Sequence, residues 1–211
     1  MALTVRTLHP VDAFALPVAA AKRLATPHAP AANYPDLHSR EVAKLAVSMA
    51  EEMRLSSAQR AAISLGALLH DLGKLALDEA ILAKPAKLDD DELRHVRRHP
   101  AEGERMVQHG VAADVAAIVR SHHERWDGGG YPDSLCAAEI PLEARVVAVA
   151  DAFCAMLEPR PYRKPVGRTQ ALAEVKRCAG TQFDPACVEA LLAVTAEPDS
   201  RYLRALPEAP Q

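Results

Sequence analysis

Residues 56–74 read SSAQRAAISLGALLHDLGK. Ser56 and Ser57 offer the short polar side chains that start helices, and Ile63, Gly66 and His70 then follow at three-to-four spacing. That period predicts a helix from about Ser56 or Ser57 with His70 in register, and Gly73 is well placed to end it. Upstream, Val42, Leu45, Met49 and Met53 repeat the period from His38, so a first amphipathic helix carries His38 on its inward face. Downstream, Asp89 and Glu92 form a capping-box pattern for a short helix, and Pro100 suits the first turn of the next one, with His99 at its entrance. A further helical stretch from about 112 to 122 leads to His122 and His123. The DGGGYP run at 127–132 forbids regular structure and must be a loop. Pro141 opens a strongly apolar helix through Val146, Val147, Ala150, Phe153 and Met156, with Asp151 embedded in it. Later helices run from Thr169 to Cys178, closed by Gly180, and from Pro185 to about Thr195, capped by Asp184. No alternating strand pattern competes and no internal repeat is present, so the fold class is all-α, a helical bundle.

The chain has 211 residues, enough for one domain with modest extensions and a core that needs no staples. Residues 1–33 are rich in Ala and Pro without a long helical period and read as an irregular arm. The domain is expected over 34–196, and 197–211, with three prolines, reads as a tail. Cys136, Cys154, Cys178 and Cys187 lie far apart without C-x-x-C spacing, which speaks for reduced thiols rather than a zinc knuckle or disulfide scaffold. No cationic start precedes an apolar run and no membrane-length apolar stretch occurs, so a cytoplasmic protein off the membrane is expected. A net charge of -3 gives no general attraction to DNA or RNA, and any anion site must be local.

Nine histidines are the compositional oddity, many beside acidic or glycine residues. His70 and Asp71 adjoin at a helix end, where a bent backbone lets both side chains meet one divalent ion, although such a pair standing alone is more often a cap, a salt bridge or a surface accident. Lys74 follows within reach, a cation for substrate phosphate. His122-His123-Glu124 is a second ligand-like unit, its two rings able to converge if the helix ends there. Asp151 is costly inside an apolar helical face unless it is paired or coordinated. With His38 and His99, these imidazoles and carboxylates on separate helices, without thiolate, describe a dinuclear hydrolase centre.

The ordered string LLHDLGK (68–74), ILAKPAKL (81–88), HPAEGERM (99–106), HHERWDGGGYP (122–132), EIP (139–141), ARVVAVADAF (144–153) and RPYR (160–163) resembles the HD-GYP branch of the HD phosphohydrolase superfamily. The resemblance implies an HD-type helical bundle with a loop carrying the GYP motif. It implies one metal held by His38, His70, Asp71 and Asp151, and a second held by Asp71, His99, His122 and His123, with Asp71 bridging. His70, Asp71 and Lys74 would carry the catalysis. Lys74, Tyr131, Arg160 and Arg163 would contact substrate.

The implied reaction is hydrolysis of cyclic di-GMP to linear pGpG, and onward to GMP, by a hydroxide shared between two ions, with no serine or cysteine nucleophile. Fe or Mn is the metal expected from the family; the ligand set also accepts Zn, Ni or Co. A GGDEF-domain protein and a second copy of the chain are the implied partners. Two positions depart from the family pattern. Where some members place a third-metal glutamate, four residues before the first histidine, this chain has Tyr34, so two metals are expected. Where the family has an aspartate three residues after the helix aspartate, this chain has Cys154. That departure favours a rival reading as a catalytically weak nucleotide receptor or interaction module. A hybrid cyclic dinucleotide is a second alternative substrate.

Overall fold

The computed structural model describes residues 37–158 and 166–196; the expected arm, the tail, Tyr34, Arg160 and Arg163 lie outside the described residues. The helices are α1 (Leu37–Glu52), α2 (Ser57–Leu69), α3 (Glu79–Leu82), α4 (Asp90–Val96), α5 (His99–Val107), α6 (Ala113–Ser121), α7 (Leu142–Leu157), α8 (Arg168–Arg177) and α9 (Pro185–Ala196). Short 3-10 turns span Leu72–Ala76 and Ala137–Glu139. Among the described residues the only extended pairings are two isolated bridges, so the all-α expectation holds.

Local chemistry explains the boundaries. The Ser56 hydroxyl accepts from the Gln59 amide while the Gln59 side chain returns to the Ser56 amide, a reciprocal cap that starts α2. Asp89 and Glu92 make the same exchange at α4, and Asp184 accepts from the Ala186 amide at the start of α9. Gly180 adopts the left-handed conformation after α8 (φ 78°). The reading of Gly73 as the end of α2 is corrected: the helix stops at Leu69, and Gly73 lies within the following 3-10 turn. Its role is close packing. A Cβ there would fall 1.9 Å from the His99 carbonyl oxygen and 2.5 Å from the Gly103 amide nitrogen.

Helices α1, α2 and α7 pack on one another, α6 covers α2 and α7, and α9 closes against α1 and α7. Leu45, Met49, Ile63, Leu69, Ile118 and Phe153 are fully buried at their centre. Burying side chains of this size stabilises by about 1.5–3 kcal/mol each. The turn Leu72–Ala76 packs on α5, which in turn packs on α6. This arrangement gathers the ends of α2 and α6 and the starts of α1 and α5 around one face of α7. No described helix is long and apolar enough to cross a membrane.

Candidate metal centre

Three histidines reach the site from the same local setting. His70 follows the last residue of α2, His122 follows the last residue of α6, and His99 comes three residues after the end of α4. Each donates from Nδ1 to the carbonyl three residues earlier: Ala67 at 2.7 Å, Val119 at 2.8 Å and Val96 at 2.8 Å. The last carbonyls of a helix lack intrahelical partners, so each ring caps its helix end with one nitrogen. The proton fixed on Nδ1 leaves Nε2 as a lone pair aimed inward.

Those lone pairs converge. His99 Nε2 and His122 Nε2 lie 3.2 Å apart, and His70 Nε2 is buried without a hydrogen-bond partner. Burial, chiefly, lowers the pKa of both His99 and His122, so at neutral pH a ring proton does not supply the positive charge between them. Two acceptor nitrogens in contact repel unless a cation lies between them. The donor set therefore fits a divalent ion.

Asp71 stands at the centre. Its Oδ1 is 3.4 Å from His99 Nε2, and its Oδ2 is 3.5 Å from His70 Nε2 and 2.6 Å from Lys74 Nζ. Burial alone would raise this carboxyl; the surrounding His70, Lys74 and His99 outweigh it and hold it well below the ordinary carboxylate range. Two sets of donor atoms lie within 4.8 Å of one another: Asp71 with His99, His122 and His123, and Asp71 with His38 and His70. Asp151 is outside the second close set, yet its Oδ1 lies 3.0 Å from His38 Nε2 and 3.9 Å from His70 Nε2. Burial works against the Asp151 charge as well, but the hydrogen bond from His38 and the nearby His70 keep its pKa at about 2. For His38 burial is likewise outweighed, by Asp151 and Glu158, and the ring is raised to about 9. His123 falls to about 4, chiefly through burial.

The adjacent histidines converge because α6 ends before them. His122 and His123 have ring centroids 4.1 Å apart, and the Tyr131 ring stacks on His123 at 4.9 Å. The Arg97 guanidinium lies over the Tyr131 ring, 5.5 Å from its centroid. Burial raises the Tyr131 phenol, so it is a neutral donor at physiological pH. Glu124 turns away from the cluster. It is buried and accepts from the amides of Asp133 at 2.7 Å and Leu135 at 3.1 Å, which shapes the loop bearing Tyr131. Arg120 clamps the same loop, binding Asp133 through two nitrogens and Glu104 on α5 through a third. A Cβ at Gly130 would meet the Arg125 amide nitrogen at 2.4 Å, so the loop can lie on its own root only with glycine there.

His38, Asp71, Lys74, His99, His123, Tyr131 and Asp151 line one open cavity of about 400 Å³, together with Val96 and Glu158. Every predicted site residue within the described chain is thus brought to one place, with His70 and His122 buried against the lining rings of His38 and His123. Two neighbours carried no usable sign in the sequence. Glu158, beside His38, looks like a solvated glutamate at a helix end, and Arg97 is one of several cations in a polar helix. Cys154, one turn beyond Asp151, is buried in the hydrophobic core.

The described fold and this cluster define an HD-type helical domain with a histidine–aspartate centre. The family model described as the HD domain matches residues 21–187, and the chain belongs to that family, as its resemblance to the HD-GYP branch implied. It is 45% identical over 147 residues to the cyclic di-GMP phosphodiesterase response regulator RpfG of Xanthomonas campestris, which covers 68% of this chain and 39% of that protein. It is 39% identical over 155 residues to the 3'3'-cGAMP-specific phosphodiesterase 3 of Vibrio cholerae, covering 73% of this chain and 34% of the relative. The chain therefore spans well under half the length of these relatives. A solved structure of the cyclic GMP-AMP-specific phosphodiesterases of V. cholerae shares the fold, with a TM-score of 0.65 at 18% identity, covering 89% of this chain and 49% of that one.

Proposed function

We propose that the chain is a metal-dependent phosphodiesterase that opens cyclic di-GMP to linear pGpG. The observation that carries this reading is the pair of donor sets sharing Asp71, with the Nε2 lone pairs of His70, His99 and His122 turned toward a common centre. His38, His70, Asp71 and Asp151 would hold one ion, and Asp71, His99, His122 and His123 the other. Fe or Mn is the family expectation, and Zn, Ni or Co suit the same nitrogen and oxygen donors. Two such ions supply Lewis acidity that activates water and offsets charge on a phosphate.

The chain's own groups do the rest. Lys74 extends from the 3-10 turn with its ammonium on Asp71 Oδ2 and its side chain 41% exposed, so an arriving phosphate oxygen meets a cation already at the cavity wall. Tyr131, braced between His123 and Arg97, offers a ring edge and a neutral hydroxyl to the nucleotide. Arg160 and Arg163, implied by the resemblance, would add phosphate and guanine contacts. The cavity volume suits part of a dinucleotide held at its mouth rather than one swallowed whole.

Two observations favour other readings. Cys154, in place of the family's aspartate, favours a receptor that binds the nucleotide and turns it over slowly or not at all. The relative named for 3'3'-cGAMP favours a hybrid dinucleotide substrate. Full-length protein loaded anaerobically with Fe or Mn and incubated with cyclic di-GMP, 3'3'-cGAMP and cyclic di-AMP separates them. Linear pGpG formed faster than the other products is expected. Binding without turnover would establish the receptor, and preferential opening of 3'3'-cGAMP the hybrid substrate. A GGDEF-domain partner and a homodimer are the assemblies implied by the family, tested by co-purification and by sedimentation.

A further inference from the structure

The histidines of the cluster are oriented by two different devices. His70, His99 and His122 each use a carbonyl from the preceding turn. His38 is held differently: it is the second residue of α1 (Leu37–Glu52). Its Nδ1 instead lies 2.9 Å from Oε1 of Glu158, a residue 120 positions away at the end of α7. The opposite nitrogen, Nε2, lies 3.0 Å from Asp151 on the same helix. Asp151 and Glu158 are seven residues apart, two helical turns, and both face the cavity.

We infer that Glu158 is a positioning residue that fixes His38 for metal binding, accepting the Nδ1 proton so that Nε2 is presented as a ligand. The inference rests on the metal-centre reading above and adds to it an outer partner for one histidine. A ligating imidazole keeps its second ring nitrogen protonated, and a carboxylate on that proton fixes the tautomer, stops the ring turning about χ2 and raises the basicity of the ligating nitrogen. Asp151 cannot fill this role, since it faces the nitrogen that would bind the ion. Glu158 differs from the backbone carbonyls in being a side chain that a single substitution removes. The two halves of the centre are therefore unequal: the His99, His122 and His123 half is oriented without Glu158, and the His38 half depends on it.

The test is Mn(II) titration of the metal-free full chain, with bound and free ion resolved for each equivalent, in wild type, Glu158→Ala, Glu158→Gln, His38→Ala and the Glu158→Ala/His38→Ala double variant. Glu158→Ala is expected to weaken one equivalent by about 10- to 100-fold and leave the other unmoved. Glu158→Gln, which keeps an acceptor oxygen, should recover most of that loss. The double variant should bind no more weakly than His38→Ala, because both changes act on one ligand. Circular dichroism verifies the fold of each variant, and Glu158→Met, which keeps the side-chain length but removes the acceptor oxygens and is expected to weaken the same single equivalent, carries the test should Glu158→Ala not fold. Two equivalents of wild-type affinity in Glu158→Ala would overturn the inference. So would equal weakening of both equivalents, or a Gln variant as weak as Ala, which would make Glu158 a direct anionic ligand. A wild-type chain that takes up no Mn(II) overturns the metal centre itself, a result distinct from all of these.

Discussion

Gly73→Ala is the sharpest probe of how the fold sets the metal centre, because it adds one methyl group where two backbones touch. The new Cβ would lie 1.9 Å from the His99 carbonyl oxygen and 2.5 Å from the Gly103 amide nitrogen, both backbone atoms that no rotamer change can move. Restoring even a tight contact of about 3 Å requires the Leu72–Ala76 turn and α5 to part by about 1 Å. His99 opens α5 and Asp71 immediately precedes the turn, so that parting stretches their 3.4 Å contact to roughly 4.5 Å. Overpacking of this kind costs about 1–3 kcal/mol in the metal-free protein. A misplacement near 1 Å in a catalytic constellation costs on the order of 100-fold in rate. The damage should be one-sided, because His38 and Asp151 lie on α1 and α7, away from the forced gap. Urea unfolding in chelator, metal content after desalting and phosphodiesterase rate together report the effect. Expected are a lower midpoint, loss of the equivalent at His99, His122 and His123, and retention of the other. A variant with wild-type stability and two tightly held ions would refute the reasoning.

Asp71→Ala should lose both ions, since Asp71 belongs to both donor sets; two ions per chain by elemental analysis would remove its bridging role. In the metal-free protein His38 is raised from 6.5 to about 9, so its stabilising charge is fully present below pH 6.5 and lost as the pH climbs through 9. The metal-free chain should lose about 3 kcal/mol at most over that window by urea unfolding, and His38→Asn should flatten the loss. Asp184→Ala strands the Arg145 guanidinium, 2.6 Å from Asp184 and largely buried, and removes the α9 cap. It should cost about 3–5 kcal/mol, with metal content unchanged in the folded protein; a Tm within a degree of wild type would contradict this.

Much of the architecture was legible because the helices are amphipathic and punctuated. Ser56, Asp89, Pro100 and Asp184 each start a helix by local hydrogen bonding or a fixed φ, which a linear reading can follow. Gly73 was misread because glycine has two uses, ending helices and admitting a neighbouring backbone, and only the three-dimensional packing distinguishes them. The short α3 and the 3-10 turns lack the length that periodicity needs. Within the site, Asp151 announced itself as a charge in an apolar face, and His122 with His123 as a pair before a helix-breaking loop. Glu158 could not be found this way: its significance lies in a partner 120 residues distant. Glu124 drew notice for its neighbours yet serves the loop instead.

The capping bonds of His70, His99 and His122 also bear on how this domain can change over evolutionary time. On the proposed metal centre each ring would answer to two demands at once, a cation on one nitrogen and, as observed, an orphan helix-end carbonyl on the other. Replacing it forfeits the second interaction even in a lineage that no longer needs the first, at about 1 kcal/mol or more for each carbonyl left buried without a partner. A descendant that abandoned catalysis would thus be held to these three histidines by its helix ends, and would stay close to regaining activity. Glu158 is under no comparable obligation to the backbone. Drift should show itself first there, at the outer partner of His38, long before the metal-facing set erodes.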